Sequence, residues 1–182
     1  ITFLGDEETY MHFDLEEEVE MDERVSIEFK YTFHYWDEDR LIVIDDSYYV
    51  TMFFYPFVPV FDEDGWNIEP YSFLGESYFN TVGDYYVTLN VPNDYLVAAS
   101  GKLIESSTLE SRLILDYEIK DARDFSFSAS NNYKLYEREI DSRLYEIYSI
   151  NNLSTNQINK YFEYLSNTFD VMEEGVGDYY YD

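Results

Sequence analysis

The sequence predicts a mainly β protein: an antiparallel β-sandwich or saddle-like domain followed by one C-terminal amphipathic helix. Three observations carry this. Apolar and polar residues alternate with period two through much of residues 25–150, as in strands with one face buried. The hydrophobic fraction of 46% leans on 21 Tyr and 14 Phe, and aromatic richness favours strands. A helical period appears convincingly only after residue 151.

Taken in order, residues 9–15 form a short strand candidate, followed by the acidic run 16–23. The clearest early strand is 25–35. Val25, Ile27, Phe29, Tyr31, Phe33 and Tyr35 share one face, and Ser26, Glu28, Lys30, Thr32 and His34 the other. Asp37, Glu38 and Asp39 end it, residues 41–44 make a short apolar strand, and Asp45 and Asp46 close that. Residues 48–61 are aromatic and extended, because Pro56 and Pro59 forbid a helix and a central strand position. Asp64 and Gly65 set a turn over 62–67.

Alternation resumes at 83–91, with Tyr85, Val87, Leu89 and Val91 facing one way, and Pro92, Asn93 and Asp94 terminate it. Residues 95–99 form a strand stopped by Gly101, and 109–119 and 125–129 alternate in turn. Residues 133–140 and 143–150 read as a hairpin across Asp141 and Ser142, a turn without the usual glycine. Ser154 followed by Gln157 is a capping box, satisfying two orphan backbone donors at a helix start. Ile158, Tyr161, Phe162, Leu165 and Phe169 then recur on one helix face. A boundary near Asn151 divides a β-domain, 1–150, from the start of a second domain, 151–182.

The formal charge of −28 sets the class of partner. Such a chain is repelled by nucleic acid and by anionic membrane surfaces. It suits solvated outward faces in a protein exported to salt or a cell envelope. No apolar run is long enough for membrane insertion. Without cysteine there is no disulfide, thiol nucleophile or thiolate metal site. The chain begins without Met or signal peptide, which points to trimming.

Little of the chemistry of known sites is spelled out. A helix-borne zinc site needs two His one turn apart, and His12 and His34 both fall on strand candidates. No Gly-x-Ser-x-Gly elbow occurs, and the Ser100-Gly101-Lys102 step lacks the spaced glycines of a phosphate loop. With 39 Asp and Glu, chance carboxylate pairs are expected and mark no acid–base dyad. Asp62, Glu63, Asp64 and Gly65 resemble the front of a calcium loop, but the later acidic ligands are out of place. A plain turn is the better reading.

One ordered set of motifs stands out. Phe54-Tyr55-Pro56, Phe61-Asp62-Glu63, the run from Gly83 to Pro92, Ala98-Ala99-Ser100-Gly101 and Arg123-Asp124-Phe125-Ser126-Phe127 follow one another in that order. Together they resemble the N-terminal β-domain of the aminopeptidase N family of zinc metallopeptidases. The Gly65-Trp66-Asn67 turn and the Gly75-Glu76-Ser77-Tyr78 approach are similar to a bacterial subgroup with a longer intervening segment. In the family a helix then leads to Gly-x-Tyr-Pro-Tyr; here it leads to Gly177-Asp178-Tyr179-Tyr180-Tyr181, with Tyr180 in place of proline.

The resemblance implies a non-catalytic domain that walls the active cleft and helps position the peptide N-terminus. Its partners would be its own catalytic domain and the peptide substrate. It implies zinc in that catalytic domain, since the His-Glu-x-x-His motif, the third Glu ligand and the Gly-x-Met-Glu-Asn loop do not occur in these residues. Asp45 and Asp46 lie where the family places a substrate-rim residue, and a carboxylate there would attract an ammonium. No catalytic, cofactor-binding or metal-binding residue is expected in this chain. The family's domain normally begins with further strands, so an open sheet edge and self-association are expected. Two alternatives remain: a stand-alone acidic β-sandwich serving adhesion or interaction at a cell surface, and a degenerate family member kept as a scaffold.

Overall fold

A computed structural model describes residues 2–4, 10–15, 18–20, 22–32, 43–45, 48–51, 54–68 and 79–181. They divide into two compact units, one formed by 1–34 with 55–81 and the other by 35–54 with 82–182. The architecture is mainly β, with antiparallel sheets and a single C-terminal helix, as the alternation predicts.

In the first unit, β1 (Thr2–Leu4) pairs with β2 (Tyr10–His12). A second pair, β5 (Phe61–Asp62) and β6 (Gly65–Trp66), closes over Glu63 and Asp64. The expected strand over 25–35 is not formed where it is described: residues 25–32 carry no ladder, and 33–35 lie outside the described residues. Both faces of this segment are exposed, with Phe29 at 40% and Tyr31 at 48%. Period two marks an amphipathic surface, but a strand also needs a neighbour to take its backbone groups. Phe29 instead meets Phe13 edge to face, ring centres 6.4 Å apart.

The second unit holds β3 (Val43–Asp45), β4 (Tyr48–Thr51), β7 (Gly83–Pro92), β8 (Leu96–Ala99), β9 (Lys102–Leu109), β10 (Arg112–Ala122), β11 (Phe127–Ser130), β12 (Lys134–Ile140), β13 (Arg143–Ser149) and α1 (Thr155–Gly175). Three sheets result, in the orders β7-β10-β9, β3-β4-β11-β8 and β12-β13. In β7 the predicted alternation holds: Leu89 is buried and Tyr85, Val87 and Val91 are half-buried, whereas Tyr86 and Thr88 are exposed.

The single strand expected over 109–119 is two. Glu110 and Ser111 form a tight turn, with Glu110 at φ 54°, and the preceding residues become β9. All eight residues of β9 are exposed, and its Ser- and Thr-rich stretch shows no period. Two further residues break the β10 ladder against β7 as a bulge between Ile119 and Ala122. Asp121 adopts φ 51° there, and the Asp84 carboxylate accepts its backbone N–H at 3.1 Å.

The hairpin β12–β13 turns through Asp141 and Ser142, at φ 50° and 65°, the left-handed pair that a two-residue hairpin loop demands. Its register puts Tyr136, Arg138, Ile140, Arg143, Tyr145 and Ile147 on one face. α1 is bound through residues of that face. Phe162, 1% exposed, lies under the Arg138 guanidinium at 4.5 Å, and Phe169 lies 4.5 Å from that of Arg143 and 5.6 Å from the Tyr145 ring. Asn159 accepts from Arg138 at 2.8 Å. The predicted capping box is present: the Ser154 hydroxyl oxygen accepts from the Gln157 N–H, and the Gln157 side chain accepts from the Ser154 N–H at 3.0 Å.

Candidate functional site

Phe125 is fully buried and gathers much of the quoted motif set around it. Its ring meets Phe54 at 6.5 Å and Tyr117 at 6.3 Å, and Phe54 meets Phe127 at 5.4 Å, all edge to face. Just before it, the Asp124 carboxylate accepts the Phe125 N–H at 2.7 Å. Just after it, Ser126 and Ser100 exchange bonds: the Ser100 N–H donates to the Ser126 carbonyl at 2.9 Å, and the Ser126 N–H to the Ser100 Oγ at 3.1 Å. Tyr85 donates its hydroxyl to the Arg123 carbonyl at 2.9 Å. Gly101 sits at φ 78° directly beneath the Glu118 carbonyl, where a Cβ would overlap backbone. So Phe54, Tyr85, the Ser100-Gly101 step and the Arg123–Phe127 run, far apart in sequence, form one packed knot.

A second cluster joins β11 to the hairpin. Tyr133 and Tyr148 stack edge to face at 5.9 Å, and Tyr133 donates to the Ser128 Oγ at 3.0 Å. Tyr148 donates to the Glu146 carboxylate at 3.1 Å. Burial, then the negative charge of Glu146, pushes the Tyr148 phenol well above its ordinary value. Burial and Glu146 raise that of Tyr117 as well. Both phenols stay protonated at neutral pH, and Tyr148 acts as a donor, not as a general base.

The chain's end folds back in a third cluster that the sequence did not suggest. Glu173 accepts from Arg143 at 2.6 Å and from the Tyr179 N–H at 3.4 Å. Tyr179 stacks on Phe169 at 5.1 Å, and Tyr181 donates to the Asp121 carbonyl at 2.9 Å. Tyr180 reaches the Asp121 carboxylate at 3.3 Å. Arg143 and Glu173 are distant in sequence and separately unremarkable among so many charges, so nothing in the sequence pairs them.

Of the substrate-rim candidates, Asp45 ends β3, opposite Tyr48 of β4, on the outer strand of its sheet. Asp46 lies outside the described residues. Asp62 serves the β5–β6 turn: its two carboxylate oxygens accept from the Asp64 N–H and the Asn67 side chain, each at 3.0 Å. The ring of Phe61 meets that of Trp66 at 4.9 Å across the same turn. His12, largely exposed, lies 3.7 Å from Asp14, and His34 falls outside the described residues. Among the described residues, no group of three or more His, Cys, Asp or Glu is placed to hold a metal. Comparison with protein-family models, with curated proteins and with solved structures gives no match for this chain.

Proposed function

We propose that the chain is a non-catalytic β-domain of an aminopeptidase-N-like zinc metallopeptidase, joined to the opening helix of the catalytic domain. One observation carries this reading: residues from four of the five motifs that resemble the family in order, Phe54, Tyr85, Ser100 and the Arg123–Phe127 run, also meet in space around Phe125, while Phe61-Asp62-Glu63 belongs to the other unit. A shared packing role accounts for these residues without any of them being a catalytic group. The zinc and its ligands belong to the catalytic domain, so no hydrolytic step runs through this chain. Its contribution is a wall of the cleft, with Asp45 and Asp46 offering carboxylates to the ammonium of a peptide N-terminus.

The test is twofold. The coding frame beyond Asp182 should continue into a His-Glu-x-x-His helix, and the purified chain should neither cleave aminoacyl-nitroanilides nor retain stoichiometric zinc. A frame that continues without those ligands makes the chain part of a degenerate scaffold. Hydrolysis by the chain alone rejects the proposal outright. The second reading, an acidic interaction module, draws on the unusually exposed apolar side chains of α1.

A further inference from the structure

At 100° per residue, α1 has two apolar flanks rather than one. Phe162 and Phe169 are on the flank that the hairpin covers, and the half-buried Ile158 is in line with them on the helix. Beside it, Tyr161, Tyr164, Thr168 and Val171 recur at spacings of three and four, with Met172 alongside. This second flank is open: Tyr161 is 41% exposed, Tyr164 52%, Val171 67% and Met172 53%. No acidic residue stands among them, although α1 carries Glu163, Asp170, Glu173 and Glu174, and the Lys160 ammonium lies 5.3 Å from the centre of the Tyr164 ring. One margin of the stripe holds Lys160, Asn167 and Glu174, seven residues apart, the spacing of flanking positions in a coiled-coil seam. The helix also lacks acid in its first turn and base in its last, so its dipole is uncompensated at both ends.

We propose that this flank pairs with the same flank of a second copy, as an antiparallel two-helix contact about a two-fold axis. In that arrangement the same margins meet. Lys160 lies beside the partner's Glu174 and near the C-terminal carbonyls of that helix, where a cation is favoured. Tyr164 lies against the partner's Thr168 and Tyr161 against the partner's Val171, a large side chain opposite a small one at each layer. The exposed parts of these side chains amount to about 500 Å² per copy, of which a two-helix contact covers a part, so the pair is smaller than a standard specific interface. A contact of this size is expected to form a weak dimer. The contact uses only α1 of the 182-residue chain, so its failure leaves the peptidase reading untouched.

Sedimentation equilibrium of the whole 182-residue chain, from about 1 to about 300 µM, tests it. A monomer–dimer equilibrium is expected. Val171→Glu and, separately, Tyr164→Glu should weaken it by about tenfold or more, with unchanged circular dichroism, since both side chains already face solvent. Glu174→Lys should weaken it, and Lys160→Glu combined with Glu174→Lys should restore it to within about threefold. Asp170→Asn, on the far side of the helix, should leave it unchanged. A wild-type chain that stays monomeric throughout, as expected if another protein or another domain covers the flank, overturns the proposal. A dimer indifferent to Val171→Glu and Tyr164→Glu, or a charge swap that fails to restore, overturns it equally.

Discussion

Gly101 and Tyr148 illustrate two ways a single residue commits the fold. At Gly101 the backbone is left-handed and pressed beneath the Glu118 carbonyl of β10. Gly101→Ala should cost about 2–4 kcal/mol, combining the left-handed penalty with displacement of a neighbouring strand. Urea unfolding would measure it. Tyr148 commits the fold through protonation. Its folded phenol titrates above the unfolded value of 10.0, chiefly by burial. Its contribution is complete below about pH 10 and is lost as the pH rises through the folded value. Melting temperature should therefore fall steeply above about pH 10. In Tyr148→Phe the decline should be shallower, after a loss near neutrality of roughly 1 kcal/mol for the bond to Glu146. An unchanged alkaline slope would show that other groups govern it.

Among the elements, the best-formed hairpin has a turn that runs against residue preference. Asp141 and Ser142 both occupy left-handed backbone, a conformation that favours glycine. Ser142→Gly should stabilise the protein by about 0.5–1 kcal/mol, read as a higher denaturation midpoint with unchanged slope. This hairpin and α1 were legible because local signals agreed: clean alternation on both arms, then a Ser–Gln capping box before a helical period. β9 was not legible, since its exposed residues Glu105, Ser106 and Ser107 leave no alternation to see. Its place comes from the ladder to β10, a tertiary fact. The segment after Val25 shows the converse: strong alternation without a ladder over 25–32. For the candidate site, the motif residues were visible but their meeting at Phe125 was not. Partners such as Tyr85 and Arg123 are set by strand register, which a linear pattern does not encode.

For the whole molecule the governing number is the charge of −28, with 11 basic residues against 39 acidic ones. Self-repulsion on that scale opposes compaction. Raising sodium chloride from about 20 mM to about 500 mM shortens the screening length from roughly 20 Å to roughly 4 Å, so melting temperature should rise by several degrees. A flat or falling response would mean that local ion pairs such as Arg143–Glu173 outweigh the global field. The scarcity of cations also gives weight to where they are spent: Arg138 and Arg143 both lie over rings of α1.

That last packing has a consequence for how the chain acquires its structure. β12, β13 and α1 are consecutive, and their contacts run between near neighbours in sequence. The ladder of β4 with β11, by contrast, must close the 75 residues between Thr51 and Phe127 into a loop before its first bond forms. Local contacts assemble quickly and distant pairings slowly. The arginine-clasped hairpin and helix would be the early block of folding, present while the four-stranded sheet is still open. Pulse-labelled hydrogen exchange would then find the amides of β13 and α1 protected before those of β4 and β8.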